Sequence, residues 1–221
     1  MNISLNNITL IAVSSIKINE TLFALKYSSK FLDFSAIKFV SHVCPENLPN
    51  DIKFEICPEL KSKDDYSYYV IYNLINHVQT DFCLLVQHDG YVIRPHLWHD
   101  SFLEWDYIGA PWAVKDNAYI TKEGEHVRVG NGGFSLRSRK LLEYPKKYNM
   151  PYLEEQGFYN EDGNICVYNR NFLKNLGIKY APVEVAAKFS YEVGVPENNG
   201  IDSFGFHGLG NIRGLHGISL Q

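Results

Sequence analysis

The sequence contains, at residues 81–90, the stretch Asp-Phe-Cys-Leu-Leu-Val-Gln-His-Asp-Gly. Its apolar run at 82–86 is too short for an ordinary helix and predicts a strand buried on both faces of a parallel sheet. Ligands of open α/β sheets bind beyond the carboxyl ends of the strands, so Gln87, His88 and Asp89 are predicted to lie at a ligand site. An acid at such a strand end favours an enzyme that binds a metal-bound diphosphate.

The chain before this stretch predicts two βαβ units, which imply a parallel sheet with right-handed crossovers. The predicted elements are a strand at 8–13, a helix at 20–34 capped by Asn19, strands at 36–41 and 52–56, and a helix that begins near Asp64. Ser14 and Ser15 follow the first strand, and we therefore expect them at the same ligand edge.

The second half has a more mixed pattern. It predicts short strands at 107–110, 134–136 and 180–185, an exposed loop or hairpin at 115–128, a helix that begins at Ser138 and stops at Pro145, and a helix capped by Asn160 with an apolar stripe of Ile165, Tyr168, Phe172 and Leu176. The whole chain is interpreted as one α/β domain, with a mixed, mostly parallel central sheet flanked by helices.

Composition narrows the classes of function. The chain has 221 residues, 45% of them hydrophobic, and a formal net charge of -4, which argues against nucleic acid as a partner. Residues 1–9 have no basic region that leads into an apolar run, and no apolar run approaches the length of a membrane span, so a soluble, unexported chain is expected. The four cysteines show no CxxC spacing, so a cytoplasmic protein with reduced, buried thiols is expected, with peripheral contact at the inner face of the membrane left open.

Several side chains could carry chemistry, and each has a structural alternative. Asp89 could bind Mn²⁺ or Mg²⁺, or could simply form an Asp-Gly turn. His207 could bind a metal or a phosphate, or could be structural. Arg213 could hold a phosphate, or could be an ordinary surface arginine.

Two other short segments are open to the same question. The glycines around Asn131, namely Gly132 and Gly133 with Gly130, could bring backbone N–H groups to a ligand, or could form a strained turn. Glu161 and Asp162 could cap a helix, or could provide a general base if desolvation and their mutual repulsion raise the pKa.

The order of these segments resembles that of the GT-A-fold glycosyltransferases. The segments are Gln-His-Asp at 87–89, Tyr-Ile-Gly-Ala-Pro-Trp at 107–112, Gly-Asn-Gly-Gly-Phe-Ser-Leu-Arg at 130–137, Glu-Asp at 161–162 and His-Gly at 207–208. Most closely the chain resembles a family of small glycosyltransferase-like proteins of unknown function that share these motifs.

The resemblance implies transfer of a sugar from a nucleoside-diphosphate donor, expected to be a UDP-sugar, to a hydroxyl of a glycan, lipid-linked or protein acceptor. The metal-binding acid of the Asp-x-Asp motif corresponds to Asp89, and the late histidine that completes the metal site corresponds to His207. The catalytic base of inverting members corresponds to Asp162, paired with Glu161. Gln87 replaces the first Asp of that motif, and a neutral amide contacts ribose or metal more weakly than a carboxylate does.

The resemblance also implies a division of labour. Residues 1–90 would form the nucleotide-binding half, with Ser14, Ser15, Gln87 and His88 near the donor. Residues 91–221 would form the acceptor and catalytic half, in which Asn131, Gly132 and Gly133 border the donor sugar or the acceptor and Arg213 contacts phosphate.

Two other functions remain in view. His88-Asp89 and His99-Asp100 resemble the His-Asp pairs of metal-dependent phosphohydrolases, which are helical proteins. A module that binds nucleotide sugars without turnover is also consistent with Gln87.

Overall fold

The computed structural model describes residues 2–116, 118–153 and 160–208. In these ranges the strands are β1 (Ile3–Val13), β2 (Leu32–Ser41), β3 (Ile52–Ile56), β4 (Phe82–Val86), β5 (Gly90–Val92), β6 (Tyr107–Ile108), β7 (Phe134–Ser138), β8 (Ser190–Tyr191) and β9 (Gly205–His207). The α-helices in the same ranges are α1 (Ile18–Ser29), α2 (Lys63–Tyr72), α3 (Arg139–Lys147), α4 (Glu161–Gly163), α5 (Arg170–Asn175) and α6 (Val183–Phe189). Short 3₁₀ turns lie at Leu74–His77, Pro95–Leu97, Asp100–Glu104 and Pro196–Asn198, and a π-helical turn lies at Asn164–Tyr168.

The larger sheet of the described chain has six strands in the order β3-β2-β1-β4-β7-β6. β3, β2, β1 and β4 are mutually parallel, whereas β7 runs antiparallel to β4 and to β6. Both predicted βαβ units, β1-α1-β2 and β3-α2-β4, are present. The predicted α/β class with a mixed, mostly parallel central sheet is therefore confirmed.

Strand β4 lies at the centre of this sheet and is covered on both faces. Leu84 and Val86 pack in the same apolar cluster as Leu25 of α1, while Cys83 and Leu85 pack in the cluster that contains Val70 of α2. Alternate residues of a strand point to opposite faces, so burial on both faces requires an unbroken apolar run.

The first helix is shorter than predicted because the segment from Leu32 onward belongs to β2.

The predicted strand at 180–185 is also wrong. Tyr180 makes only an isolated bridge to Tyr107, and the chain then enters α6 after Pro182. Proline fixes a backbone angle suited to a helix start, and Ala186, Ala187 and Phe189 are buried.

The stripe predicted after Asn160 is displaced by one residue. Phe172 is 36% exposed, whereas its neighbour Leu173 is fully buried. The π-helical turn Asn164–Tyr168 accounts for this shift, because its wider turn inserts one residue into the helical repeat. Helix α3 also differs from the prediction, because it does not stop at Pro145 but continues to Lys147.

A smaller sheet brings the late part of the chain to the end of β4. Its order is β5-β9-β8, with β9 antiparallel to β5 and parallel to β8. Since β5 begins at Gly90, directly after the tight turn that follows β4, β9 lies beside this turn. In the described ranges, every helix is too short or too polar to cross a membrane.

Candidate active site

Three segments that are distant in sequence meet at the carboxyl end of β4. They are the residues that follow β4, the loop at 130–133 and the strand β9 with His207. Val86, the last residue of β4, pairs with Phe134, the first residue of the antiparallel strand β7. The end of one strand therefore lies beside the start of the other, and the loop at 130–133 reaches the same edge as Gln87, His88 and Asp89. Gln87, His88 and Asp89 lie at this edge because β4 ends at Val86, whereas the position of the loop depends on the antiparallel strand β7.

Asp89 lies in a tight turn closed by two backbone hydrogen bonds between Gln87 and Gly90, of 3.0 and 3.1 Å. Gly90 pairs with His207 of β9, and the backbone N–H of Gly208 donates to the carbonyl oxygen of Asp89 at 2.7 Å. As a result, Asp89 Oδ1 lies 3.6 Å from His207 Nε2. The two predicted metal ligands face each other at a distance slightly too long for a hydrogen bond.

The ring of His207 packs directly against Gly133 and Gly90. A Cβ atom at Gly133 would lie 2.1 Å from Nε2 of this ring, and one at Gly90 would lie 2.9 Å from its Cδ2. Neither glycine has a positive φ, so the absence of a side chain matters here for space. Part of the loop at 130–133 thus supports a side chain of the site.

Two carboxylates, of Asp89 and Glu192, and the amide of Asn131 lie close to the ring of His207. Its Nδ1 lies 3.3 Å from Oε1 of Glu192 and 2.8 Å from Nδ2 of Asn131. Burial opposes protonation of the ring, but the hydrogen bond to Glu192 and the charges of Asp89 and Glu192 outweigh it, so the pKa of His207 is raised. Glu192 was not predicted, because it follows the very short strand β8 and no sequence pattern distinguishes it.

Asp162 is held by the same glycine-rich loop. The N–H of Gly132 donates to its Oδ2 at 3.1 Å, and the N–H of Gly163 donates to its Oδ1 at 2.8 Å. Burial raises the pKa of Asp162 despite these two hydrogen bonds. A carboxylate with a raised pKa is a stronger base, which suits a proton acceptor. Asp89, His207 and Asp162 are therefore linked through residues 131–133.

Glu161 points away from solvent. Its side chain is 5% exposed, its Oε1 lies 3.5 Å from Nη2 of Arg137, and a Cβ atom on Gly132 would lie 1.6 Å from this Oε1. Burial and the charge of Asp162 raise the pKa of Glu161. Glu161, paired with Arg137, therefore packs against Gly132 on the buried side of the loop. Arg137 received no role in the sequence analysis, although a charged residue within an apolar strand is a detectable signal.

Four predicted donor-binding residues share one cavity. This cavity, of about 340 Å³, is lined by Ser14, Ser15, Gln87 and His88, together with residues that include Tyr66. The amide of Gln87 donates to the hydroxyl of Tyr66 at 2.7 Å, and the hydroxyl of Ser15 accepts the N–H of Leu60 at 2.8 Å. The hydroxyl of Ser14 donates to the carbonyl of Ile16. The cavity is therefore preformed by hydrogen bonds within the chain.

The cavity also has basic groups at its border. Lys61 and Lys63 belong to its lining, and Nζ of Lys17 lies 3.1 Å from Nε2 of His88. Burial and the charge of Lys17 lower the pKa of His88, against the opposing effect of Asp89. A neutral His88 beside lysines is compatible with a bound anion. Lys17 lies in the segment 14–17 that follows β1 and is predicted to be at the ligand edge, whereas Tyr66 was not predicted.

The chemistry of Asp89 and His207 fits a divalent cation. Asp89 Oδ1 is buried and has no hydrogen-bond partner among the described residues. Asp89 and His207 would hold such a cation through a carboxylate oxygen and a ring nitrogen, both of which are ligands that Mn²⁺ accepts. In the described part of the chain, no three His, Cys, Asp or Glu side chains cluster as a metal site. The remaining ligands would therefore have to come from a diphosphate and water.

Two other predicted features are not part of this site as described. Arg213 falls outside the described residues. Nδ1 of His99 accepts the N–H of Ser101, and Asp100 accepts the indole N–H of Trp98, so this His-Asp pair serves a local turn. The six-stranded sheet also differs from the helical fold of the phosphohydrolases that this pair resembles.

Comparisons with solved structures return glycosyltransferases. A glycosyltransferase involved in the glycosylation of the major capsid of PBCV-1 aligns over 96% of this chain and 94% of its own, with a TM-score of 0.51 and 13% identity. A mannosyltransferase from Pyrobaculum calidifontis, in complex with GDP-Man and Mn²⁺, aligns over 79% of this chain and 53% of its own, with a TM-score of 0.46 and 10% identity. The apo-form glycosyltransferase GlyE from Streptococcus pneumoniae TIGR4 aligns over 90% of this chain and 53% of its own, with a TM-score of 0.48 and 10% identity.

The chain thus spans about half the length of two of these three proteins. The match to the PBCV-1 protein shows that it has a glycosyltransferase fold of the GT-A-like type. No curated protein sequence matches it. A family model described as a protein of unknown function (DUF5672) matches residues 54–207, which is more than half of the chain and includes Asp89, Asp162 and His207. The chain therefore belongs to the DUF5672 family.

Proposed function

We propose that this chain is an inverting glycosyltransferase that moves a sugar from a nucleoside-diphosphate donor, a UDP-sugar, to a hydroxyl of a glycan, lipid-linked or protein acceptor. The observation that carries the proposal is the meeting of Asp89, His207 and Asp162 around one glycine-rich loop. A donor site beside a carboxylate of raised pKa is what sugar transfer to a hydroxyl requires.

The cavity at the ends of β1 and β4 supports a nucleotide site. Ser14, Ser15 and Gln87 offer polar groups along its wall, and Lys61 and Lys63 supply positive charge. We assign the nucleoside to this cavity and the diphosphate to the side nearest Asp89, since His88 lines the cavity and contacts Lys17.

Asp89 and His207 would hold a divalent cation, Mn²⁺ or Mg²⁺. When bound, such an ion supplies positive charge that stabilises the departing diphosphate. Gln87 is left out of this set, because a neutral amide binds such an ion more weakly than a carboxylate does.

In the proposed reaction, Asp162 accepts the proton of the acceptor hydroxyl. The hydroxyl oxygen forms a bond to the anomeric carbon, and the bond from this carbon to the diphosphate oxygen breaks, with its electron pair leaving on the diphosphate. A direct displacement of this kind inverts the anomeric configuration. Gly132 orients the carboxylate of Asp162, and Glu161 with Arg137 keeps the loop in place.

The test combines binding with turnover. Thermal unfolding is measured with a panel of nucleotide sugars, with and without Mn²⁺, and nucleotide release is measured with candidate acceptors. Asp162→Asn is nearly isosteric, so we expect it to retain the thermal shift of the wild type and to lose nucleotide release. Retained turnover in this variant would remove Asp162 from the mechanism.

A second candidate is a module that binds nucleotide sugars without turnover. It is favoured by the hydrogen bond from Gln87 to Tyr66, because a neutral side chain already engaged within the protein occupies the first acidic position of the motif. Wild-type protein that shifts its melting temperature with a nucleotide sugar, yet releases no nucleotide with any acceptor, would support this module.

A further inference from the structure

The register of the smaller sheet places a carboxylate beside His207. Tyr191 of β8 pairs with Phe206 of β9, so the following residues, Glu192 and His207, lie next to each other across the parallel pair. Side chains alternate between the faces of a sheet, and these two therefore share a face. The distance from Glu192 Oε1 to His207 Nδ1 is 3.3 Å, and the side chain of Glu192 is 23% exposed.

Asn131 approaches the same ring nitrogen, and the orientation of its amide is fixed by the backbone. Its Oδ1 accepts the N–H of Gly133 at 3.0 Å and the N–H of Phe134 at 3.4 Å. The amide nitrogen therefore faces His207 Nδ1, at 2.8 Å. Since an amide nitrogen can only donate, Nδ1 of the neutral ring must accept this bond, and the ring proton then lies on Nε2.

A cation at Nε2 needs the opposite tautomer. The metal takes the lone pair of Nε2, so the proton of the neutral ring must lie on Nδ1. An Nδ1–H group cannot donate to the amide nitrogen of Asn131, whereas the carboxylate of Glu192 can accept it. Metal-bound histidines usually donate their second ring N–H to a carboxylate, a carbonyl or water.

We propose that Glu192 is a positioning residue that selects the metal-binding tautomer of His207, in competition with Asn131, which favours the other neutral tautomer. This inference rests on the proposed function. It deepens that function by assigning a role to Glu192, which lies outside the predicted motifs. With a cation at Nε2, the proton on Nδ1 would be donated to Glu192, which already lies 3.3 Å away.

The experiment measures the affinity of the full chain for Mn²⁺ alone, by electron paramagnetic resonance of the free ion. Glu192→Ala removes the acceptor, and we expect it to weaken Mn²⁺ binding about 10- to 100-fold. Glu192→Gln keeps a carbonyl oxygen at the same place, so its loss should be clearly smaller. Glu184→Ala, at an exposed position of α6, removes the same charge and should bind Mn²⁺ like the wild type.

The outcomes separate the two proposals. Mn²⁺ binding by Glu192→Ala within twofold of the wild type would overturn the role of Glu192 while leaving the cation site intact. Equal losses in Glu192→Ala and Glu192→Gln would also overturn it, because charge rather than a hydrogen-bond acceptor would then explain the effect. A wild-type chain that binds no Mn²⁺ at millimolar concentration, either alone or with saturating UDP, would remove the cation from the proposed function, and this role with it. Melting temperatures without metal show whether each variant is folded.

Discussion

Asp89 Oδ1 and His207 Nε2 face each other at 3.6 Å, although one lies at the end of the central strand and the other in the last described strand. The pairing of Gly90 with His207 produces this contact, because it brings β9 against the turn that holds Asp89. Asp89 Oδ1 is buried and has no hydrogen-bond partner in the described part of the chain, so a further ligand is needed to satisfy this oxygen.

Asp89→Asn should remove the metal-dependent part of donor binding. The variant keeps the size of the side chain but loses the charge that a divalent cation requires. Wild-type protein with UDP and Mn²⁺ at about 100 times the dissociation constant should gain about 2.7 kcal/mol of stability, and the variant should lose the part that depends on Mn²⁺. Thermal unfolding with and without Mn²⁺ measures this. Asp51→Asn, at an exposed position before β3, should behave like the wild type.

Gly133→Ala should displace the ring of His207. The new Cβ would lie 2.1 Å from Nε2, so the ring or the loop must shift. We expect a loss of stability of about 1–3 kcal/mol, as for other overpacked sites, together with weaker Mn²⁺ binding. Gly194→Ala is the matched control, because the nearest atom to its Cβ, the hydroxyl of Tyr191, is 3.9 Å away. Unchanged Mn²⁺ affinity in Gly133→Ala would show that Mn²⁺ binding does not require the observed position of the His207 ring.

The sequence predicts the N-terminal half of this fold better than the C-terminal half. The run at 82–86 and the two βαβ units depend on local apolar patterns, and the structure has them in the predicted order. The smaller sheet consists of strands of two or three residues, too short to show a period. Glu192 reaches the site through this sheet, and so no pattern in the sequence indicates it.

Motif residues are easier to predict than the residues that support them. Asp89, Asp162 and His207 belong to segments with recognisable composition, and the structure brings them around one loop. The contact of Glu161 with Arg137 depends on how α4 packs behind β7, which local pattern does not determine. The strand predicted at 180–185 fails for a related reason, because packing of Ala186 and Ala187 favours a helix there.

Glu55→Gln should reduce stability at neutral pH and leave it little changed in acid. Burial alone would raise the pKa of Glu55, but hydrogen bonds to Lys38, His77 and Lys53 outweigh it and lower the pKa from 4.5 to about 2. A lowered pKa in the folded state stabilises the protein above pH 4.5, and this contribution is lost as the pH falls from 4.5 towards 2. We expect a cost of about 2 kcal/mol at pH 7, less than the full shift because solvent screens part of the interaction.

Urea unfolding at pH 7, 5 and 3 compares this variant with the wild type. The gap in the free energy of unfolding should narrow between pH 5 and pH 3. A gap of constant size across this range would mean that the charge of Glu55 is not the cause. Lys38 is the partner to examine next, since its side chain is only 4% exposed and its Nζ lies 2.8 Å from Glu55.

Arg137→Met should destabilise the protein strongly, because it leaves the buried carboxylate of Glu161 without a counter-charge. The expected cost is about 3–5 kcal/mol. Adding Glu161→Gln should recover part of this loss, since the double variant has no unpaired buried charge. A double-mutant cycle by urea unfolding measures the coupling, and additive losses would contradict a direct interaction between the two side chains.

The pH dependence of Arg137→Met provides an independent check of the same pair. Burial and the charge of Asp162 already raise the pKa of Glu161 in the wild type, and Arg137 opposes this rise. Removing Arg137 should therefore raise the pKa further. A raised pKa in the folded state favours folding below the pKa of the unfolded chain, and this advantage is lost as the pH rises through the folded-state pKa. Relative to the wild type, Arg137→Met should accordingly lose more free energy of unfolding at pH 8 than at pH 5. The double variant lacks the titrating carboxylate, so its loss should differ much less between the two pH values.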